Sequence, residues 1–469
     1  MISGEAGEVG IAEQSIANAI NRAAGSRPVP GNGVRVLIDG PEAYGEMLDV
    51  IAQATRWIHF ENYIIRSDEA GRTFADALIA RARDGISVRV LYDAFGSSGT
   101  RRRYWRALEA GGVDVRAFHP FQPLDLVANF SRNHRKLVVA DGTRGVMGGL
   151  CIGDEWIGYP KGGGRPWRDT AVEISGPACG LLDKAFADTW AIAGEELPAE
   201  ETPGRVAPQG EAEVRVISGE PGRERTYRVT ELMTAGSTSR LWITDAYLVA
   251  PPRLLLALQD AAKDGVDVRL LVPGSSDLPL VRNLSRIGYR DLLRSGVRIY
   301  EWEGPMLHAK TIVSDGRWSR IGSSNLNPSS LMGNWELDVL IENSGLADAM
   351  EHQFRLDIAR SREVTRRPVR APQRISSALP TALSHQNPEV APPDHHKSVL
   401  ERRKRAAVVF RIILANARRS IFLPLTLLLI VLGLFFFVLP TTAAYTFGVV
   451  CAWLALSASR EAFRRRADR

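Results

Sequence analysis

Cysteine is scarce in this chain: three in 469 residues, Cys151, Cys179 and Cys451. They are scattered without metal-ligand spacing, which excludes a disulfide framework and a zinc site. The stretch Met1 to Arg27 lacks the apolar core of a signal peptide and reads as the body of a polar leader, residues 1–30. No aromatic ladder is interleaved with a basic stripe, the arrangement that stacks bases, so nucleic acid is not the expected partner. Charged and hydrophobic fractions of 24% and 45% are those of a globular protein and exclude wholesale disorder. The net charge of +6 points to anionic partners. Much of it sits in Arg-rich segments near the C-terminus, which favours anionic lipid over nucleic acid.

What is present is one short word that occurs twice. Asn133-His134-Arg135-Lys136-Leu137-Val138-Val139-Ala140-Asp141 contains His-x-Lys-x-x-x-x-Asp, and so does His308-Ala309-Lys310-Thr311-Ile312-Val313-Ser314-Asp315. A small-residue turn follows each at the same offset, Gly148-Gly149-Leu150-Cys151 and Gly322-Ser323-Ser324-Asn325. One such word alone carries little weight. Two, each with its turn and inside a larger repeat, agree at several levels.

Residue types and spacing point to phosphodiester exchange. Each word holds a short β-branched apolar strand, and the His and Lys two apart ahead of it share one side of an extended chain. One imidazole can attack phosphorus while the other protonates the leaving alcohol and deprotonates the incoming one. The two lysines, with Asn325 and Ser323 as neutral donors, can hold the phosphate oxygens through a five-coordinate transition state. The cations are built in, so no metal or other cofactor is expected.

The rest of the chain repeats too. Strands alternate with helices from Gly33 to Phe118, and the order returns after residue 210: Trp57 to Ile65 is paralleled by Leu241 to Leu248, Asp84 to Leu91 by Asp264 to Leu271, and Gly112 to Ala117 by Ser295 to Tyr300. This predicts an α/β fold of two homologous lobes, residues 31–195 and 210–362, each a mixed sheet flanked by helices, with the two words meeting at one cleft. The Glu-, Pro- and Gly-rich stretch Glu195 to Gln209 is the expected connection. Residues 363–400 read as a flexible linker; its His395-His396 pair has no further ligands nearby, so no metal site is assigned.

From residue 401 to 469 the composition changes. Arg402-Arg403-Lys404-Arg405 and Arg411 to Arg419 form a basic amphipathic approach to Ile421–Leu439, which is apolar and uncharged and long enough for a bilayer span. After the Pro440-Thr441-Thr442 turn, Ala443–Leu456 is apolar again and ends at Arg460 and Arg464-Arg465-Arg466. Basic residues at both outer ends predict a transmembrane hairpin in the plasma (inner) membrane with both ends, and the catalytic region, cytoplasmic. Its basic flanks are expected to rest on anionic headgroups.

The paired words resemble the phospholipase D superfamily. The surrounding words Glu61-Asn62-Tyr63-Ile64, Gly153-Asp154-Glu155-Trp156, Pro273-Gly274-Ser275-Ser276-Asp277, Leu307-His308-Ala309-Lys310, Gly322-Ser323-Ser324-Asn325-Leu326-Asn327-Pro328 and Asn334-Trp335-Glu336 are similar to its bacterial cardiolipin synthase branch. The likeness spans roughly Gly31 to Thr365. It implies phospholipase D-type lobes with one active site and a covalent phosphatidyl-histidine. The implied catalytic set is His134, Lys136, Asp141, His308, Lys310 and Asp315, with His134 as nucleophile by family tendency and His308 as general acid and base. Lys136, Lys310 and Asn325 would bind phosphate, and Asp141 and Asp315 would fix local structure. Glu155 and Glu336 are supporting candidates, structural or catalytic. Two departures stand out: Cys151 replaces the Asn common in the first turn, and the apolar segments follow the catalytic region, where the family's synthases usually carry them before it. The implied reaction joins two phosphatidylglycerol molecules into cardiolipin with release of glycerol. The alternatives are a phospholipase D hydrolase releasing phosphatidic acid or, further off, a nuclease of the same superfamily. Expected partners are phospholipids and the membrane; acceptor and oligomeric state are open.

Overall fold

A computed structural model of the protein describes residues 15–120, 131–158 and 164–365. Both halves contribute to one mixed sheet. The first half supplies β1 (Val29–Ile38), β2 (Trp57–Asn62), β3 (Ser87–Asp93), β4 (Asp114–Phe118), β5 (Lys136–Ala140), β6 (Arg144–Gly148) and β7 (Thr170–Ser175). The second supplies β8 (Ala212–Gly219), β9 (Arg240–Thr244), β10 (Asp267–Pro273), β11 (Arg298–Trp302), β12 (Thr311–Ser314), β13 (Trp318–Gly322), β14 (Glu336–Glu342) and the short β15 (Ser361–Glu363).

The spatial order is β15-β11-β10-β9-β12-β13-β14-β8-β1-β7-β6-β5-β2-β3-β4. Read outward from the β8–β1 junction, the first seven strands on each side carry the same succession, so the repeat in the sequence is a repeat in the sheet. In each half the three strands joined by helices are parallel and the rest antiparallel, as helical crossovers and short turns require. At the junction β1 pairs with β8 at Val29 and, past an irregularity, at Asn32, and with β7 from Gly33 to Ile38. Buried Asn32 ties this seam: its Nδ2 donates to the Val29 and Ala212 carbonyls and its Oδ1 accepts from Ala178 N at 2.8 Å.

Strand side chains alternate between faces, and the two faces are built differently. One carries a core common to both halves, in which Leu137, Val139 and Val172 share a cluster with Val216, Val313 and Val339 under helices Cys179–Ile192 and Ser344–Ile358. The other carries two separate cores. Helices Asp39–Gln53, Glu69–Arg83 and Arg102–Ala110 cover Ile58, Phe60, Val88 and Val138 in the first half. Helices Arg225–Gly236 and Pro252–Lys263 cover Leu241, Ile243, Leu270 and Ile312 in the second. The common core holds the halves in one register, so a site made from both has fixed geometry.

Two expectations change, and the connection holds a buried ion pair. Residues 15–24 are helical, and Ile20, Ala23 and Ala24 are buried in the second half's core, while β1 begins at Val29. The reading of residues 1–30 as a polar leader therefore fails from residue 15 on: Ile20, Ala23 and Ala24 fall at i, i+3 and i+4 on one helical face, enough to dock a helix. The second half extends past residue 362, since Glu363 pairs with Tyr300 and Val364 N donates to Ile299 O. Within the connection, Glu201 is buried; its carboxylate meets His59 Nε2 at 3.1 Å and Arg89 Nε at 2.5 Å, and His59 Nδ1 lies 2.8 Å from Asp183 Oδ1. Burial opposes the imidazolium, yet Asp183 and Glu201 raise the His59 pKa, while Arg89 and His59 bring Glu201 down to about 2 against its own burial. The stability that His59 contributes is complete below its unfolded pKa and is lost as pH rises through its raised folded value. That of Glu201 is complete above its unfolded pKa and is lost as pH falls toward about 2. Glu201→Ala is expected to cost about 3 kcal/mol, because it strands a buried charge; chemical denaturation measures it.

The expected linker beyond residue 365 and the apolar runs Ile421–Leu439 and Ala443–Leu456 lie outside the described residues. Among the described residues no helix is long and apolar enough to cross a membrane.

Candidate active site

β5 runs antiparallel to β2 with Lys136 opposite Asn62, and β12 runs antiparallel to β9. The two His-x-Lys segments therefore lie at the carboxyl ends of the parallel strands, where open α/β sheets place their sites. Each segment pairs with a piece of the other half. His134 N donates to Trp335 O at 2.9 Å and Trp335 N to Arg132 O at 2.9 Å; His308 N donates to Arg168 O at 2.7 Å and Arg168 N to Met306 O at 2.9 Å.

This exchange brings a carboxylate from each half to the histidine of the other. His134 Nδ1 lies 3.0 Å from Glu336 Oε2, and His308 Nδ1 lies 2.7 Å from Asp169 Oδ2. A carboxylate on Nδ1 fixes the tautomer and turns Nε2 toward the substrate. Glu336 and Asp169 are equivalents: Gly322 faces Asp338 in the β13–β14 ladder as Gly148 faces Ala171 in β6–β7, and each carboxylate lies two residues before those partners. Each is held. Glu336 accepts from Ser323 Oγ and Ser330 Oγ. Asp169 accepts from Trp156 Nε1 at 2.9 Å and Thr170 N at 2.8 Å. Asp169 is one methylene shorter, so its carboxylate lies close to the neighbouring turn, where a Cβ on Gly149 would meet Asp169 Oδ1 at 2.1 Å. Only glycine fits there; the equivalent Ser323 faces the longer Glu336.

Lys136 and Lys310 are 0% and 1% exposed. Each ammonium donates to the carbonyl of the histidine two residues before it, and neither forms an ion pair among the described residues. Tyr63 and Tyr247 complete each half. Tyr63 meets His134 edge-on at 4.8 Å between ring centres, with Lys136 Nζ 5.1 Å from the same ring; Tyr247 lies 6.0 Å from His308 and 5.8 Å from Lys310 Nζ.

The electrostatics follow from burial. It lowers the Lys136 pKa and brings Lys310 to about 8. Burial also lowers His134 against the pull of Glu336, and burial with the Lys310 charge brings His308 to about 4 despite Asp169. Lys310 acts on His134 and Lys136 on His308, so the four groups share one field. For Asp169, burial is overcome by His308, Lys310 and Trp156, leaving it at about 2; Glu336 is also lowered, its burial outweighed by His134, Lys136 and Ser323. Both carboxylates are thus anionic and both imidazoles neutral at neutral pH, and Lys310, at about 8, is largely protonated. Two buried ammonium groups without a carboxylate make a place for an anion.

The other expected residues divide. Asn325 stands at the site, 4% exposed, and its buried Oδ1, an acceptor, has no partner among the described residues. Ser323, expected to bind phosphate, is instead occupied: its Oγ donates to Glu336 and accepts from Leu337 N at 2.9 Å. Cys151, the equivalent of Asn325, is buried, and burial raises its thiol pKa, so that half has no matching amide. Glu155 meets Arg66 at 3.3 Å, and its neighbour Trp156 packs edge-on against His308 at 5.6 Å, so it lies beside the site without joining it.

Asp141 and Asp315, grouped with the catalytic set, stand at the far end of their strands. Asp141 accepts from the backbone N–H groups of Thr55, Arg56 and Trp57, and Asp315 from those of Thr238, Ser239 and Arg240. Both have left-handed backbones, φ +57° and +53°, which aspartate tolerates better than most residues. They tie the motif strand to the start of its neighbour. Asp315→Ala is expected to cost about 2 kcal/mol by stranding these donors while leaving turnover per folded molecule unchanged, which parallel denaturation and activity measurements check. Asp169, Tyr63, Tyr247 and Ser330 were not singled out from the sequence. Asp169 has a signal there, since Arg168-Asp169-Thr170 leads into β7 as Trp335-Glu336-Leu337 leads into β14.

The family model described as "Cardiolipin synthase, PLD-like domain" matches residues 47–154 and 230–358. "Cardiolipin synthase 1" of Bacillus anthracis is 31% identical over 371 residues, covering 76% of this chain and 73% of that protein. "Cardiolipin synthase A" of Pseudomonas putida is 35% identical over 343 residues, covering 71% and 70%. The crystal structure of phosphatidylserine synthase from Haemophilus influenzae superposes with a TM-score of 0.60 at 14% identity, covering 75% of this chain and 92% of that one, a likeness of fold. Two matching segments, one around each His-x-Lys word, and relatives aligned along most of both chains assign the protein to the cardiolipin synthase family of phospholipase D-like proteins.

Proposed function

We propose that the protein is a membrane-bound phosphatidyltransferase that makes cardiolipin from two phosphatidylglycerol molecules. The observation that carries this is the pair of buried lysines that form no ion pair among the described residues, each two residues from an imidazole steered by a carboxylate from the opposite half. In this reading the phosphodiester sits against Lys136, Lys310 and Asn325, and its negative charge offsets the lysines that depress the imidazoles. His134 Nε2 attacks phosphorus, the phosphorus–oxygen bond to glycerol breaks, and His308 delivers a proton to the departing oxygen. The same imidazole then takes the proton from the hydroxyl of a second phosphatidylglycerol, whose oxygen displaces His134. Glu336 and Asp169 stabilise the imidazolium character that develops in turn.

The basic segment and apolar hairpin of residues 401–469 would keep the catalytic region at the cytoplasmic face of the plasma membrane, close to both substrates; their length, lack of internal charge and arginine flanks support this. The test is incubation of the purified protein with labelled phosphatidylglycerol. Cardiolipin with free glycerol supports the proposal, phosphatidic acid supports hydrolysis, and cleavage of DNA without turnover of lipid overturns both.

A further inference from the structure

The segment after β10 has an amphipathic pattern with the wrong side out. Leu280, Leu284 and Ile287 fall at i, i+4 and i+7, the spacing of one helical face, across helix Pro279–Ser285 and the 3₁₀ turn Arg286–Gly288. Such a stripe ordinarily faces the core. Here neither element buries any residue, and the three side chains are 56%, 42% and 52% exposed, with Leu278 before them at 48%. From Leu278 to Arg290 the segment carries three arginines, Arg282, Arg286 and Arg290, and no acidic residue. Arg286 is in part committed to Glu301, at 2.8 Å; the local excess is still positive.

The stripe adjoins the active site. Asp277, immediately before Leu278, accepts from Tyr247 Oη at 2.8 Å, and Tyr247 packs on His308. In the other half, the loop after β3, the equivalent of β10, presents Phe95 at 65% exposure. Phe95 N donates to Asp93 Oδ1, whose Oδ2 accepts from Asn133 N next to His134. Each half thus raises apolar side chains beside its own histidine, at the end of the sheet where the site lies.

We infer that this rim is the surface on which the catalytic region docks on a bilayer containing anionic phospholipid. Leu280, Leu284 and Ile287, with Phe95 across the site, enter the acyl boundary, and the interleaved arginines meet headgroup phosphates. This rests on the phosphatidyltransfer reading and extends it. A diacyl substrate then passes from the bilayer to the histidines along an apolar rim, and its tails stay out of water.

The test uses the full chain reconstituted in phosphatidylcholine vesicles with and without phosphatidylglycerol. An environment-sensitive fluorophore is placed at Leu284→Cys in a Cys451→Ser background, Cys151 and Cys179 being buried. The same label at Lys184→Cys, an exposed position in the first half, is the control. Expected is a blue shift at position 284 alone, greater with phosphatidylglycerol, and quenching by spin-labelled lipid. No shift overturns the inference, as does a shift that grows with protein concentration and resists lipid quencher, because a second copy then covers the stripe. In a second arm, Leu280→Ser/Leu284→Ser/Ile287→Ser should lose about tenfold in turnover of vesicle substrate while keeping that of monomeric short-chain phosphatidylglycerol within twofold; equal loss on both overturns it. If the native chain turns over no phospholipid, the phosphatidyltransfer reading fails, and the fluorescence arm still decides whether this face meets the bilayer.

Discussion

His134→Ala and His308→Ala should each abolish cardiolipin formation, with losses of about 10³-fold or more, the scale expected when a nucleophile or a general acid is removed. The two losses should differ in kind. With a substrate whose leaving group is a nitrophenolate, no proton need be delivered at the first step. His308→Ala should then release nitrophenol in a burst equal to the enzyme and stall with phosphatidyl bound to His134. His134→Ala should give no burst and no adduct. Mass spectrometry of the quenched protein reads the adduct directly. An adduct on residue 308 would reverse the assignment; adducts on neither would remove covalent catalysis. Both rings pack in fixed surroundings, His134 against Tyr63 and His308 against Trp156 and Tyr247, so neither variant should unfold the common core.

Much of this site is legible in the sequence. The His-x-Lys words, the turns that follow them and the repeat of strands around them are local patterns, and local patterns survive in a linear reading. The order of strands on either side of the β8–β1 junction follows from that repeat. What the sequence hid depends on the two halves meeting. Glu336 lies 202 residues from His134 and Asp169 lies 139 from His308, and nothing in the composition of either segment says that the carboxylate of one half serves the histidine of the other. The repeat itself makes Asp169 the counterpart of Glu336, two residues before the strand partner of the small-residue turn in each half.

The motif aspartates fix local structure, as the resemblance implies, but their distance from the chemistry is not read from spacing alone. Spacing along a strand says which residues travel together, not which end of the strand they occupy. Five residues of β5 separate His134 and Arg135 from Asp141, and an extended strand advances about 3.3 Å per residue. Asp141 is therefore carried well away from the chemistry and closes a turn. Ser323 was chosen as a neutral donor, which it is, but its hydroxyl is used by Glu336 and the β14 backbone. The exposed leucine stripe after β10 has the same periodicity as a core helix, so only burial distinguishes it.

Asp169→Asn and Glu336→Gln should separate the roles of the two histidines through pH. Each substitution keeps size and an acceptor oxygen but removes the charge that favours imidazolium, so the partner's pKa falls. For His308, already near 4, less of the ring is protonated at any pH. The acid step weakens, and the alkaline limb of kcat/KM moves to lower pH. For His134, acting as a neutral nucleophile, a lower pKa moves the acid limb to lower pH and leaves the alkaline limb in place. Turnover at pH 7 should fall on the order of 10²–10⁴-fold for Asp169→Asn, because an amide on Nδ1 also permits the wrong tautomer. Glu336→Gln should cost more at the first step than at the second, since Glu336 balances the charge of phosphohistidine; that variant should accumulate less adduct from the nitrophenyl substrate. A purely structural role for either carboxylate would lower turnover with both limbs unmoved. Limbs that move the other way round would make His308 the nucleophile.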